Sequence, residues 1–295
     1  MATKIAHYRT AYFALAALVA ALGVAGDAHA KVMTSATYSG HFGAELRGFA
    51  DDALDTVSKG AFNLSTIPAG ATIVRATMYS LDVGSADSQN ASFDGMALGA
   101  GTEVDSDGIF PMRSIVWDVT PLLTTGGSHS ATITSLDTTF GGALSVVYSH
   151  PSLPLSTIIV NSRISEVAPN LSEDIESTIF NNALIGSGAA KLSMFTFADD
   201  TFATNERIIF NGLLAGGPID ANLAVNPGEL NSLFEMSVNA VPGVNTLTVT
   251  SPDSGDQFGF PVAILAAPMA VPEPATAGLV TIVCLVAAIK RRRVR

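Results

Sequence analysis

The stretch "ASFDGMALGAG" at residues 91–101 returns as "IIFNGLLAGG" at residues 208–217. Phe93 meets Phe210, Asp94 meets Asn211 and Gly95 meets Gly212, each 117 positions apart. An aromatic strand residue followed by Asx-Gly signals a hairpin, because both central residues of a type I′ turn need positive φ. Later landmarks keep the spacing. "WDVT" meets "FEMS", pairing Trp117 with Phe234, again 117 apart. "ATITSLD" meets "LTVTSPD", Asp137 with Asp253, at 116, and "FGGALSVVY" meets "FGFPVAILA", Phe140 with Phe258, at 118. Four matches in one order, with so little drift, indicate two copies of one unit.

The unit reads as β-structure. "NTLTVTS" (Asn245–Ser251) alternates Leu247 and Val249 with threonines, the period of a half-buried strand. "SATITS" does the same around Ala131 and Ile133, whereas "ALSVVYS" (Ala143–Ser149) is apolar enough to be covered on both faces. Clusters of Gly, Asn, Asp and Ser punctuate these runs, and no long amphipathic helix pattern intervenes. In "WDVTPLL", Thr120 reads as an N-cap with Pro121 at the first helical position, and Ser237 as its counterpart in the second copy. The expected fold is all-β: two tandem antiparallel β-sandwich, jelly-roll-like repeats over residues 31–161 and 162–267. One fused sandwich with a sheet from each half is the alternative.

The two ends differ from this body. Lys4 and Arg9 precede an uncharged apolar run of 14 residues, Ala11–Val24, and then "AGDAHA" with Ala28 and Ala30 in A-x-A spacing. These are the parts of a signal peptide, residues 1–30, cleaved by signal peptidase after Ala30. At the other end, residues 268–295 hold Val271, Pro272, Glu273 and Pro274, then 15 uncharged residues, Ala275–Ile289. Lys290, Arg291, Arg292, Arg293 and Arg295 follow. As a helix the apolar run is about 22 Å long, short of a ~30 Å hydrocarbon core, and spans it if basic stems snorkel and the bilayer thins. The basic cluster stays cytoplasmic under the positive-inside rule. That gives a transmembrane stop over 275–289, with a basic tail over 290–295.

Charge limits the partners. Setting aside the seven basic residues of the two ends, together with Asp27 and Glu273, leaves 8 basic against 24 acidic residues, a net of −16. So acidic a body is unsuited to nucleic acid, whose phosphates require Lys and Arg. The one cysteine, Cys284, lies in the tail segment, so an exported body has no disulfide and depends on its core.

The order VPEP, short apolar helix and arginine-rich tip resembles the PEP-CTERM sorting signal. The resemblance implies export in a Gram-negative bacterium that makes exopolysaccharide, and transient anchoring in the inner membrane. It further implies recognition by exosortase at the sorting motif and transfer to the cell surface or extracellular matrix. The first copy, from "RATMYS" through "FDG" and "WDVTPLL" to "GGALSVVYSHPSLP", also resembles a module of prokaryotic surface proteins. That likeness implies a β-sandwich of structural or adhesive type. The second copy departs from it, lacking the Trp and the Pro-rich exit.

Candidate chemistry is sparse. The body histidines, His41, His129 and His150, have no HExxH or paired zinc spacing, and no serine lies in a GxSxG elbow. The expectation is a non-catalytic protein without a cofactor. A carbohydrate-binding module or a carbohydrate-active hydrolase with carboxylates that no motif singles out is the alternative. Acidic loops offer calcium candidates at Asp105 and Asp107 in "EVDSDG" and at Asp253 and Asp256 in "SPDSGD", without the distal Glu of an EF-hand. Plain turn chemistry explains the same residues. Trp117 reads as core rather than as a sugar platform. The partners expected are the export machinery, exosortase, the inner membrane and, at the surface, exopolysaccharide.

Overall fold

The structure, a computed structural model, describes residues 34–50, 56–83, 89–106, 112–136, 138–162, 166–167, 175–197, 206–217, 231–251 and 258–270. The signal-peptide residues Ala28 and Ala30, the sorting motif Val271–Pro274, the segment 275–289 and the basic tail lie outside these residues. So do Asp107, Asp253 and Asp256. All regular structure among the described residues is strand, and no helix among them is long and apolar enough to cross a membrane.

The strands build four sheets. The first inner sheet runs β2 (Phe42–Phe49), β11 (Gly142–Ser149), β4 (Thr72–Val83), β8 (Met112–Asp118) and β7 (Thr102–Ser106), with β10 (Thr138–Thr139) on β4. Its outer partner runs β3 (Val57–Asn63), β9 (Ser128–Thr134), β5 (Asn90–Phe93) and β6 (Met96–Ala100). The second inner sheet runs β1 (Thr34–Gly40), β12 (Ser156–Ser162), β20 (Phe258–Pro268), β15 (Gly188–Phe197) and β18 (Asn231–Ala240), with β13 (Glu166–Val167) on β20. Its outer partner runs β14 (Ile175–Asn182), β19 (Gly243–Thr250), β16 (Arg207–Phe210) and β17 (Leu213–Gly216). Every pairing between these strands is antiparallel. The order β2-β11-β4-β8 is repeated by β12-β20-β15-β18, and β3-β9-β5-β6 by β14-β19-β16-β17.

Three cores hold these sheets in a stack. Phe62, Phe93 and Ile133 of the first outer sheet meet Met78, Trp117 and Leu144 of the first inner sheet. Phe180, Phe210 and Leu247 meet Leu192, Met194 and Leu265 in the same way. The third core lies between the two inner sheets, where Leu46, Tyr79, Leu81 and Val147 pack on Ile158, Phe195, Val262 and Ile264. Strand β11 is therefore covered on both faces, Leu144 and Val146 pointing one way and Ala143 and Val147 the other. That accounts for its unbroken apolar sequence. Each repeat has an inner and an outer sheet, and β1 and β12 join the inner sheet of the second.

Strand membership cuts across position 161/162. Both β1 and β12 belong to the second inner sheet, with Thr34–Gly40 paired to Ser162–Ser156 and that strand paired in turn to β20. The chain leaves the second inner sheet at Gly40, enters the first at Phe42, and returns after Ser149.

The repeated stretches occupy matching register positions. Phe93 faces Ala131 and Phe210 faces Leu247; Trp117 faces Met78 and Phe234 faces Met194. Asp94 and Asn211 have φ of 48° and 51°, followed by Gly95 and Gly212 at 77° and 76°, the two positive φ values of a type I′ turn. The last match slips by one. Ala143 pairs with Tyr79 while Val262 pairs with Phe195, so Ala143 corresponds to Val262 and not to Pro261.

A single helical turn follows β8, but Thr120 does not cap it. One turn closes from Val119 O to the N–H groups of Leu122 and Leu123, and the Thr120 hydroxyl bonds the backbone of Ala76 on β4 instead. Ser237 caps nothing: it lies within β18, paired with Lys191.

Candidate functional site

The hairpin between β5 and β6 carries a cluster of polar side chains on a turn predicted from sequence. Asp94 Oδ1 accepts the Ser130 N–H at 2.8 Å, and Oδ2 accepts His129 Nδ1 at 2.7 Å. The imidazole stacks on Phe93 at 5.6 Å between centroids, and its Nε2 donates to Thr125 O at 3.2 Å. Partial burial opposes ionisation of Asp94, but the bonds from His129 and Ser130 outweigh it and hold the carboxyl below its ordinary value. The resemblance to an Asp–His relay ends there, since Nε2 faces a carbonyl and no nucleophile. In the second copy Asn211 does the same structural work: Oδ1 accepts Thr246 N–H, and Nδ2 donates to Asn245 Oδ1 at 2.8 Å. Both clusters lock the hairpin tip to the neighbouring strand.

Trp117, His41 and His150 are likewise bonded within the fold. Trp117 is buried, and its Nε1 donates to Gly99 O at 3.1 Å. His41 Nδ1 donates to Leu153 O at 2.6 Å, and His150 Nδ1 pairs with the Ser152 hydroxyl at 2.6 Å. Asp105 lies on β7 opposite Ser114. Among the described residues no three His, Cys, Asp or Glu side chains come together as a metal site.

Sequence reasoning missed a charged seam between the inner sheets. Arg47 on β2 pairs with Glu45 and, at 3.0 Å, with Glu235 on β18, whose same oxygen takes Lys191 Nζ at 2.7 Å. Arg47 also donates to Asn63 O and Leu46 O. Partial burial of Glu235 works against ionisation, yet Lys191 and Arg47 hold its carboxyl below the usual value. Nearby, the buried Asn231 amide donates to the carbonyls of Phe49 and Phe140 across the seam. No periodicity announces such contacts, since Arg47 and Glu235 are 188 positions apart. A shallow depression of about 320 Å³ runs over Lys191, Glu235 and Met236. A second, of about 480 Å³, lies among uncharged loops around Ile67, Pro68 and Thr125.

The faces turned away from the stack carry rows of hydroxyls on two strands. On β9 they present Ser128, Ser130, Thr132 and Thr134, and on β19 Thr246, Thr248 and Thr250, with Thr248 bonded to Ser177 at 2.9 Å. Among the described residues every Trp, Tyr and Phe is buried or half-buried.

These features define a class: an all-β protein of stacked antiparallel sheets whose polar clusters serve hairpins and seams. The chain belongs to the family described as Protein of unknown function (DUF3344), whose model matches residues 20–267. No curated protein matches it. Among solved structures it is similar to a β-porphyranase of glycoside hydrolase family 86 from the human gut bacterium Bacteroides plebeius, at 14% identity and a TM-score of 0.28. It is also similar to a Paenibacillus xanthan lyase, at 13% and 0.28, and to a lectin from Pleurotus ostreatus in complex with GalNAc, at 9% and 0.21. These alignments cover 78%, 82% and 80% of this chain. They cover 37% of the porphyranase, 25% of the lyase and 82% of the lectin. Likenesses at such TM-scores carry no argument.

Proposed function

We propose that this chain is an exported, non-catalytic surface or extracellular-matrix protein with a structural or adhesive role in an exopolysaccharide layer. A signal peptide starts its export, the tail holds it in the inner membrane, and exosortase releases it at the VPEP motif. The observation that carries the structural role is the use of the chemically capable side chains. Asp94, His129, Trp117, Asn211 and Arg47 all bond strands, hairpins or sheets to one another. The outward faces carry Ser/Thr rows on β9 and β19, and among the described residues no Trp, Tyr or Phe ring is exposed, a surface suited to lateral contact rather than to stacking single sugars. The alternative, a carbohydrate-binding module or hydrolase, needs exposed aromatic platforms or a carboxylate pair.

Glycan-array binding and polysaccharide-hydrolysis assays on the exported chain test this. Absence of turnover is expected. Turnover abolished by substituting one carboxylate would overturn the proposal, and specific binding without turnover would narrow it to an adhesin.

A further inference from the structure

Charge is distributed unevenly along the strand axis of the second sheet pair. At one end the connections are residues 150–156, 181–188, 211–214, 239–245 and 267–270, and none contains Asp, Glu, Lys or Arg. They form one surface. Asn182 pairs with Gly243, Gly188 with Ala240 and Ser156 with Pro268. The Asn211 amide reaches Asn239 O and Asn245 Oδ1. On this surface Leu155, Leu184, Leu213, Leu214, Val241 and Val244 are 42% to 69% exposed. In sequence, the links joining the opposite strand ends hold Glu173, Asp174, Asp199, Asp200, Asp220, Glu229, Asp253 and Asp256.

The chain leaves through the middle of the uncharged end. Met269 N–H donates to Leu155 O and Ala270 N–H to Leu184 O, so the last described residues are pinned between two of the exposed leucines. Only Val271–Pro274 separate Ala270 from the apolar segment that starts at Ala275. Four residues reach roughly 14 Å at full extension. With that segment in a bilayer, this end is brought within reach of the headgroups.

We propose that the uncharged end of the second sheet pair is a membrane-docking surface that rests its six apolar side chains in the headgroup layer while the tail is inserted. This rests on the membrane tail proposed above. Exposed Leu and Val side chains gain from the interface, and an end without fixed charge loses no ionic hydration there. The acidic far end is turned away from an anionic leaflet, as repulsion requires. The strands then stand upright on the membrane.

The test uses the full chain in phosphatidylethanolamine–phosphatidylglycerol vesicles containing a nitroxide lipid at headgroup depth. An environment-sensitive fluorophore is placed on Cys284 itself or, with Cys284→Ser, on Leu184→Cys, Leu213→Cys, Val244→Cys or the far-end control Val57→Cys. The expected result is a blue shift and quenching at 184, 213 and 244 and neither at 57. Quenching at 284 alone, with all three end labels in water, overturns docking and leaves the membrane tail standing. No quenching at 284 overturns the tail, and docking with it. A blue shift at the end labels without lipid quenching means that protein, a second copy or another chain, covers the surface, and overturns docking too. Leu213→Glu with Leu214→Glu should abolish quenching at 244 while 284 stays quenched. Quenching at 244 that persists would assign the proximity to the tether alone and count against the proposal.

Discussion

The packing of the two inner sheets makes a quantitative prediction at Gly48. This residue lies on β2 beneath Phe195 of β15, with backbone outside the positive-φ region, so alanine is conformationally acceptable there. A Cβ at position 48 falls 2.6 Å from Cζ and 2.8 Å from Cδ2 of Phe195, too close for either atom to stay. The ring has little room, since Phe195 is fully buried and meets Phe197 edge-on at 4.8 Å. Gly48→Ala should therefore cost about 1–3 kcal/mol of overpacking. For a body of this size that lowers Tm by roughly 2–12 °C. Phe195→Ala alone should cost about 3–5 kcal/mol, mostly as a cavity. In the double variant the new methyl enters the space the ring vacated. Its loss should match that of Phe195→Ala alone, leaving a coupling of about 1–3 kcal/mol between sites on different sheets. Calorimetry and urea titration of the four proteins measure the cycle. Strict additivity, or a harmless Gly48→Ala, would mean that the inner sheets do not bury each other.

Asp94 and Glu235 both have lowered carboxyl values, so each contributes stability that is present above the unfolded carboxylate range near pH 4 and lost as pH falls through the lower folded value. Asp94→Asn, which installs the residue of the second copy, should keep the hairpin and shrink the fall in Tm between neutral pH and pH 3, as followed by circular dichroism. Glu235→Gln should reduce the salt dependence of Tm, because it removes the negative charge shared by Arg47 and Lys191; unchanged salt dependence would deny the seam network any role. Trp117→Phe loses the bond to the Gly99 carbonyl and part of a buried ring, and should cost about 1–3 kcal/mol in urea unfolding. Intact-mass measurement of matrix-associated protein should find neither residues 1–30 nor the segment 275–295, and a mass that retains the tail would leave a plain anchor.

Much of this fold was legible along the chain. The Asp94–Gly95 and Asn211–Gly212 turns, the alternating β9 and β19 and the doubly covered β11 are written in local terms. Positive φ, period-2 burial and uninterrupted hydrophobicity each act over a few residues. The repeat was readable because both copies need the same turn chemistry at the same places. Tertiary structure decided the rest. Thr120 gave up its cap because the backbone of Ala76 lay within reach, and Ser237 stayed in a strand because β18 runs on where β8 stops. Arg47 found Glu235, and Gly48 made room for Phe195, only because two inner sheets of similar composition came face to face. The placement of β1 and β12 in the second inner sheet also depends on that encounter. Contacts such as Arg47–Glu235 and Gly48–Phe195 join residues more than a hundred positions apart, and their energy depends on shape and desolvation at a surface that exists only once the sheets have formed.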